Sequence, residues 1–193
     1  MKPQLALAFL TGQSDPGRNA LSPAQAEFLA YFAAPDRLLV PANFPYGVTP
    51  PWRPVSLLRA SWCNFRLYRR SRRPDFAAAW AGPVADLIRR ADGVCFLAGS
   101  CGLELFNNLR LPARLEARCL LICYGPVARH RPRHAQAVIV QGSRDWISRL
   151  GFPAGAPRLR CGHLDYLRDA DFRRLCADAL AAFTPLPCSN TSA

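Results

Sequence analysis

Ser100 lies in Phe96-Leu97-Ala98-Gly99-Ser100-Cys101-Gly102-Leu103, where an apolar run meets small residues and a helical pattern follows at once. A nucleophile at such a strand-to-helix turn holds a strained backbone, so the residues two places before and after it must be small. Around Ser100 these are Ala98 and Gly102, and both fit. Around Cys101 they are Gly99 and Leu103, and Leu103 fits poorly, so the spacing selects the serine. The start of the following helix presents free N–H groups that favour developing negative charge. A small-residue turn in some other α/β protein would read the same way.

Two further segments offer complementary chemistry. Ala137-Val138-Ile139-Val140-Gln141-Gly142-Ser143-Arg144-Asp145 is an apolar run entering a glycine turn that ends on an acid. Such an acid can hold a neutral histidine in one tautomer and balance its transient charge. Taken alone, an Asp there is more often a turn former or a helix cap. Arg160-Cys161-Gly162-His163-Leu164-Asp165 places His163 on a loop before the last helix, whereas His130 and His134 sit in a basic, solvent-facing loop.

The elements that must position these residues alternate between strand and helix. Leu5–Leu10, Leu38–Ala42, Val94–Ala98, Cys119–Cys123, Ala137–Val140 and a short run near Arg158–Cys161 read as strands. Ser22-Pro23-Ala24-Gln25 starts a helix with a cap, a proline at the first position and a capping box. Residues 55–73 read as helix. Phe76, Trp80, Val84, Leu87 and Ile88 mark another, which Gly82-Pro83 is expected to kink or divide. Phe172, Leu175, Cys176, Ala179, Leu180 and Phe183 form one stripe of a C-terminal helix. The pattern predicts an α/β three-layer sandwich: a mostly parallel sheet of about six strands with helices on both faces. In such sheets sites form beyond the carboxyl ends of the strands, where Ser100, Asp145 and His163 all fall.

Of the 193 residues half are hydrophobic, in short runs that fit one domain and no membrane span. Met1-Lys2 with Leu5–Leu10 imitates a signal peptide only faintly and lacks a cleavage site, so it reads as the first strand and the expected location is cytoplasmic. The eight cysteines show no C-x-x-C pair. Cys95, Cys119, Cys123 and Cys161 lie in or beside apolar runs, as free thiols packing like small hydrophobes do. The net charge of +12 is almost all arginine. Its densest cluster, Arg66, Arg69, Arg70, Arg72 and Arg73, reads as a solvated helix face, with recognition of a phosphate or an acidic protein as the other reading. No zinc-ligand spacing, phosphate loop or dinucleotide fingerprint calls for a metal or a cofactor.

The chain order Ser, Asp, His, each after a strand, resembles the α/β-hydrolase superfamily, specifically a small esterase- or thioesterase-like member. The resemblance spans residues 1–186 as one domain. It rests on Leu10-Thr11-Gly12-Gln13, Ala98-Gly99-Ser100-Cys101-Gly102, Gln141-Gly142-Ser143-Arg144-Asp145 and Cys161-Gly162-His163. Ala98 stands where glycine is commoner, and the usual first two strands are missing. The resemblance implies a Ser100–His163–Asp145 triad, an oxyanion hole from the backbone N–H groups of Gln13 and Cys101, and no cofactor. It implies cleavage of an acyl ester or thioester, and the arginine excess would suit an acyl group carried on an acidic acyl carrier protein or on coenzyme A. Residues 43–74 would supply a lid or substrate-binding insert, and Phe44, Tyr46, Trp52, Leu103 and Trp146 would line an acyl pocket or, as the equal alternative, pack in the core or loops. Residues 187–193 read as a flexible tail. The rival is a non-catalytic hydrolase-fold module binding an acidic protein or nucleic acid through its arginines, nucleic acid being the less expected partner.

Overall fold

Leu5–Phe9 (β1), with the sequence LALAF, has no polar face and is almost wholly buried, as a strand covered on both sides must be. In the computed structural model, which describes residues 4–47, 50–152 and 156–186, it is followed by α1 (Pro23–Ala30), β2 (Arg37–Asn43), α2 (Leu57–Ser71) and α3 (Pro74–Arg89). Then come β3 (Gly93–Gly99), α4 (Gly102–Leu109), α5 (Ala113–Glu116), β4 (Cys119–Tyr124) and β5 (Gln136–Gly142). The chain ends with α6 (Trp146–Gly151), β6 (Arg158–Leu159), a 3-10 turn (Tyr166–Arg168) and α7 (Ala170–Ala182). The tail expected over 187–193 lies outside the described residues.

All five strand pairings are parallel, in the order β2-β1-β3-β4-β5-β6. The chain steps from β1 outward to β2, then returns to the other side of β1 to place β3. The order therefore reverses between β1 and β3, and the loops leaving their carboxyl ends diverge there to open a crevice. Phe28 and Leu29 of α1 pack with Phe172, Cys176 and Leu180 of α7 on one face. Phe76, Val84 and Ile88 of α3 pack with Leu103 and Phe106 of α4 on the other. Two helical layers thus enclose the sheet as the alternation predicted.

Ser22 forms the predicted capping box, accepting from the Gln25 N–H while the Gln25 side chain accepts from the Ser22 N–H. Pro83 does not divide its helix, which runs from Pro74 to Arg89 as one element, separated from α2 at Arg72-Arg73. Buried Phe76 on one side of Pro83 and Val84, Leu87 and Ile88 on the other hold both halves to the sheet. That packing outweighs the roughly 3 kcal/mol cost of an interior proline. Cys119 and Cys123 share one core cluster, and Cys95, Cys161 and Cys176 the other, all as free thiols.

Candidate active site

Ser100 has φ +51°, the left-handed region that a non-glycine residue enters only where surrounding structure imposes it. Two backbone hydrogen bonds impose it here: the Ser100 N–H donates to Tyr124 O at 3.2 Å, and its carbonyl accepts from the Val127 N–H at 2.8 Å. Only Cys101 separates this residue from the first turn of α4. A Cβ at Gly102 would sit 1.9 Å from the Leu10 carbonyl oxygen and 3.3 Å from Ala98 Cβ. The small residues flanking Ser100 are thus required by the approach of the elbow to the end of β1. The neighbouring Cys101 thiol is buried, which pushes it up to about 12, so it stays protonated and poorly nucleophilic.

The acid turn folds for equally local reasons. Asp145 caps α6, its Oδ1 accepting from the Ser148 N–H at 2.9 Å. Its carboxylate also lies 3.0 Å from His163 Nδ1 through both oxygens, and Oδ2 accepts from the Tyr166 hydroxyl at 2.7 Å. Asp145 thus caps α6 and lies against His163 at once. Burial pushes the Asp145 carboxyl up, but the hydrogen bonds from His163, Ser148 and Tyr166 outweigh it and hold the group below the ordinary carboxylate value. Gly125, at φ +55°, leaves room for this cluster, since a Cβ there would come within 2.8 Å of Asp145 Oδ2.

His163 follows β6 in a loop closed by Asp165, whose Oδ2 accepts from the Gly162 N–H at 3.0 Å. With Nδ1 facing a carboxylate, its proton resides on that nitrogen and Nε2 is left to accept another. His163 and Ser100 line one cavity of about 980 Å³, at the reversal point between β1 and β3. No hydrogen bond joins their side chains, and such contacts commonly tighten only when substrate is bound.

The loop after β1 completes the wall. Thr11, Gly12 and Gln13 line the cavity beside Cys101. The Gln13 and Cys101 backbone N–H groups make no hydrogen bond to another described residue's backbone. Asn43 at the end of β2 fixes this loop. Its Oδ1 accepts from the Thr11 N–H at 2.9 Å, and its Nδ2 donates to the carbonyls of Thr11 at 3.4 Å and Gly12 at 3.3 Å.

Above the loop lies α2, whose Leu57, Ser61, Asn64, Phe65 and Tyr68 face the cavity at helical spacing. A Cβ at Gly12 would meet Asn64 Oδ1 at 2.3 Å. Arg72 leaves the exposed arginine face expected of this helix. It stacks on Tyr68 and pairs at 3.0 Å with buried Glu104, in the first turn of α4, while Arg129 pairs with the same carboxylate at 2.9 Å. Arg66, Arg69, Arg70 and Arg73 remain exposed.

The residues expected to line an acyl pocket separate. Trp52 lines the cavity. Phe44, Tyr46 and Leu103 instead belong to the core, where Phe44 packs on Phe76 and Trp80 and Tyr46 on Phe96. Trp146 is exposed on α6 with the Arg149 guanidinium over its ring, and its neighbour Ile147 reaches the cavity instead. Sequence reasoning missed Asn43 and Tyr166. Asn43 ends a strand with no local mark of its contact 32 residues away; Tyr166, three residues after His163, could have been flagged only as a nearby hydroxyl. No known family model matches the chain, and no curated protein matches it.

Proposed function

We propose that the chain is a serine hydrolase that cleaves an acyl ester or acyl thioester through Ser100, His163 and Asp145. The observation that carries this reading is a serine at φ +51° sharing one cavity wall with a histidine whose Nδ1 lies 3.0 Å from both oxygens of a buried aspartate.

In this reading Ser100 Oγ attacks the acyl carbon as its proton passes to His163 Nε2, and Asp145 balances the imidazolium charge. In the same reading the oxyanion accepts from the N–H groups of Cys101 and Gln13, both residues of the cavity wall. Collapse breaks the bond to the leaving alkoxide or thiolate, which takes the proton back from His163. Water then attacks the acyl-enzyme, giving its proton to His163. The acid departs and Ser100 regains its hydrogen. The cavity accommodates a medium-sized acyl group, and Trp52, Leu57, Phe65 and Ile147 give it apolar walls.

The test is turnover of p-nitrophenyl esters and acyl thioesters of graded chain length by the wild type, Ser100→Ala and His163→Ala. Turnover by the wild type, lost in both variants, is expected. No turnover of any member of the series, or equal turnover by Ser100→Ala, would contradict the reading.

A further inference from the structure

Among the described residues, all but two of the exposed large apolar side chains lie on three segments bordering the cavity: residues 52–65, α6 and the loop after His163. Leu58 on α2 is 87% exposed and Leu150 on α6 is 81% exposed. Phe65, Ile147 and Leu164 are at once cavity wall and exposed surface. Scattered apolar residues need no explanation, but their concentration on segments that border one cavity marks an interaction surface.

The arrangement on α2 specifies the partner. Leu58, Trp62 and Phe65 recur at helical spacing, Phe65 also reaching the cavity; exposed Arg69 continues their stripe in the last turn, and exposed Arg66 and Arg70 flank it. Neither residues 52–71 nor α6 contain an acidic residue, and Arg149 on α6 lies over Trp146 at 4.4 Å. An exposed helix stripe of Leu, Trp and Phe flanked by arginines, on a helix polar on average, lies in a lipid interface plane rather than crossing it. Its arginines meet anionic headgroups while the rings and leucines enter the acyl boundary. Side chains projecting as far as Leu58 and Leu150 suit a fluid surface, which closes around them without a preformed mate.

We propose that α2, α6 and the His163 loop form a docking surface for an anionic lipid bilayer, with the cavity opening toward the membrane. The surface implies that the acyl ester is drawn from lipid, a point that rests on the hydrolase reading; the docking itself does not.

The test is sedimentation of the full chain with vesicles of phosphatidylcholine alone and of phosphatidylcholine with phosphatidylglycerol, for the wild type, Ser100→Ala and the double variant Leu58→Asp/Leu150→Asp. Wild type and Ser100→Ala are expected to sediment equally with the anionic vesicles, with a blue shift of tryptophan emission. The double variant, matched to wild type in thermal melting because both positions face solvent, loses roughly tenfold or more in partitioning. Failure of the wild type to bind anionic vesicles would overturn the proposal, as would unchanged binding by the double variant. Saturable binding to an acidic acyl carrier protein without vesicle binding would reassign the surface to a protein partner. A catalytic failure would remove the lipid-ester corollary and leave the docking intact, so the two proposals fail separately.

Discussion

The Tyr166 hydroxyl donates to Asp145 Oδ2 at 2.7 Å while accepting from the Gly142 N–H, so one phenol joins the acid turn to the loop that carries the histidine. Tyr166→Phe removes a donor from a buried carboxylate and leaves a buried N–H unpaired. We expect a loss of about 2 kcal/mol in stability by denaturant unfolding. A severalfold fall in kcat with KM unchanged should accompany it, and an unaltered kcat would assign the phenol to stability alone.

Asp145 makes stability depend on pH with a defined sign. Its value in the fold is below the ordinary 3.8, so the stability it confers is fully present above 3.8 and is lost as the pH falls through the lower folded value. The Tm difference between wild type and Asp145→Asn should therefore be constant from neutral pH down to about the ordinary value and shrink below it. At neutral pH the same variant should lose about 10,000-fold in kcat, through the wrong histidine tautomer. A Tm difference that grows on acidification would contradict this assignment.

Asn43 is a positioning residue: it touches the Thr11–Gly12 backbone rather than the reacting atoms. Loss of an oxyanion donor costs on the order of 100- to 1000-fold, so a loop merely loosened by Asn43→Ala should lose up to about 100-fold in kcat. Asn43→Asp retains an acceptor for the Thr11 N–H and should recover part of that loss. Equal kcat for the two variants would remove Asn43 from the site.

Much of this was legible in the sequence because it depends on local pattern. Ala98 and Gly102 around Ser100 reported a close backbone approach, and the strands showed as apolar runs between turns. Legibility stopped where a side chain's direction decides. Phe44 and Tyr46 stand in a loop beside the site, yet both turn into the core. Asn43 and Tyr166 act across 32 and 21 residues of chain, which no local pattern encodes. Pro83 does not divide α3, because tertiary packing overrode a propensity.

The glycines give a paired prediction on stability. Gly102→Ala forces a Cβ against the Leu10 carbonyl, a backbone atom that cannot rotate away, and should cost roughly 2–3 kcal/mol or more. Gly82→Ala meets nothing within 4 Å on an exposed turn of α3 and should instead stabilise by roughly 0.5–1 kcal/mol. Chemical denaturation of both variants checks the contrast, and a neutral Gly102→Ala would remove the steric argument for the elbow.

Whether Ser100 is an activated nucleophile is tested most directly by incubating the protein with a fluorophosphonate and recording intact mass. The account predicts a single adduct on wild type and on Cys101→Ala, mapped to the peptide containing Ser100, and none on Ser100→Ala. An adduct that survives Ser100→Ala, or no adduct on wild type, would contradict it.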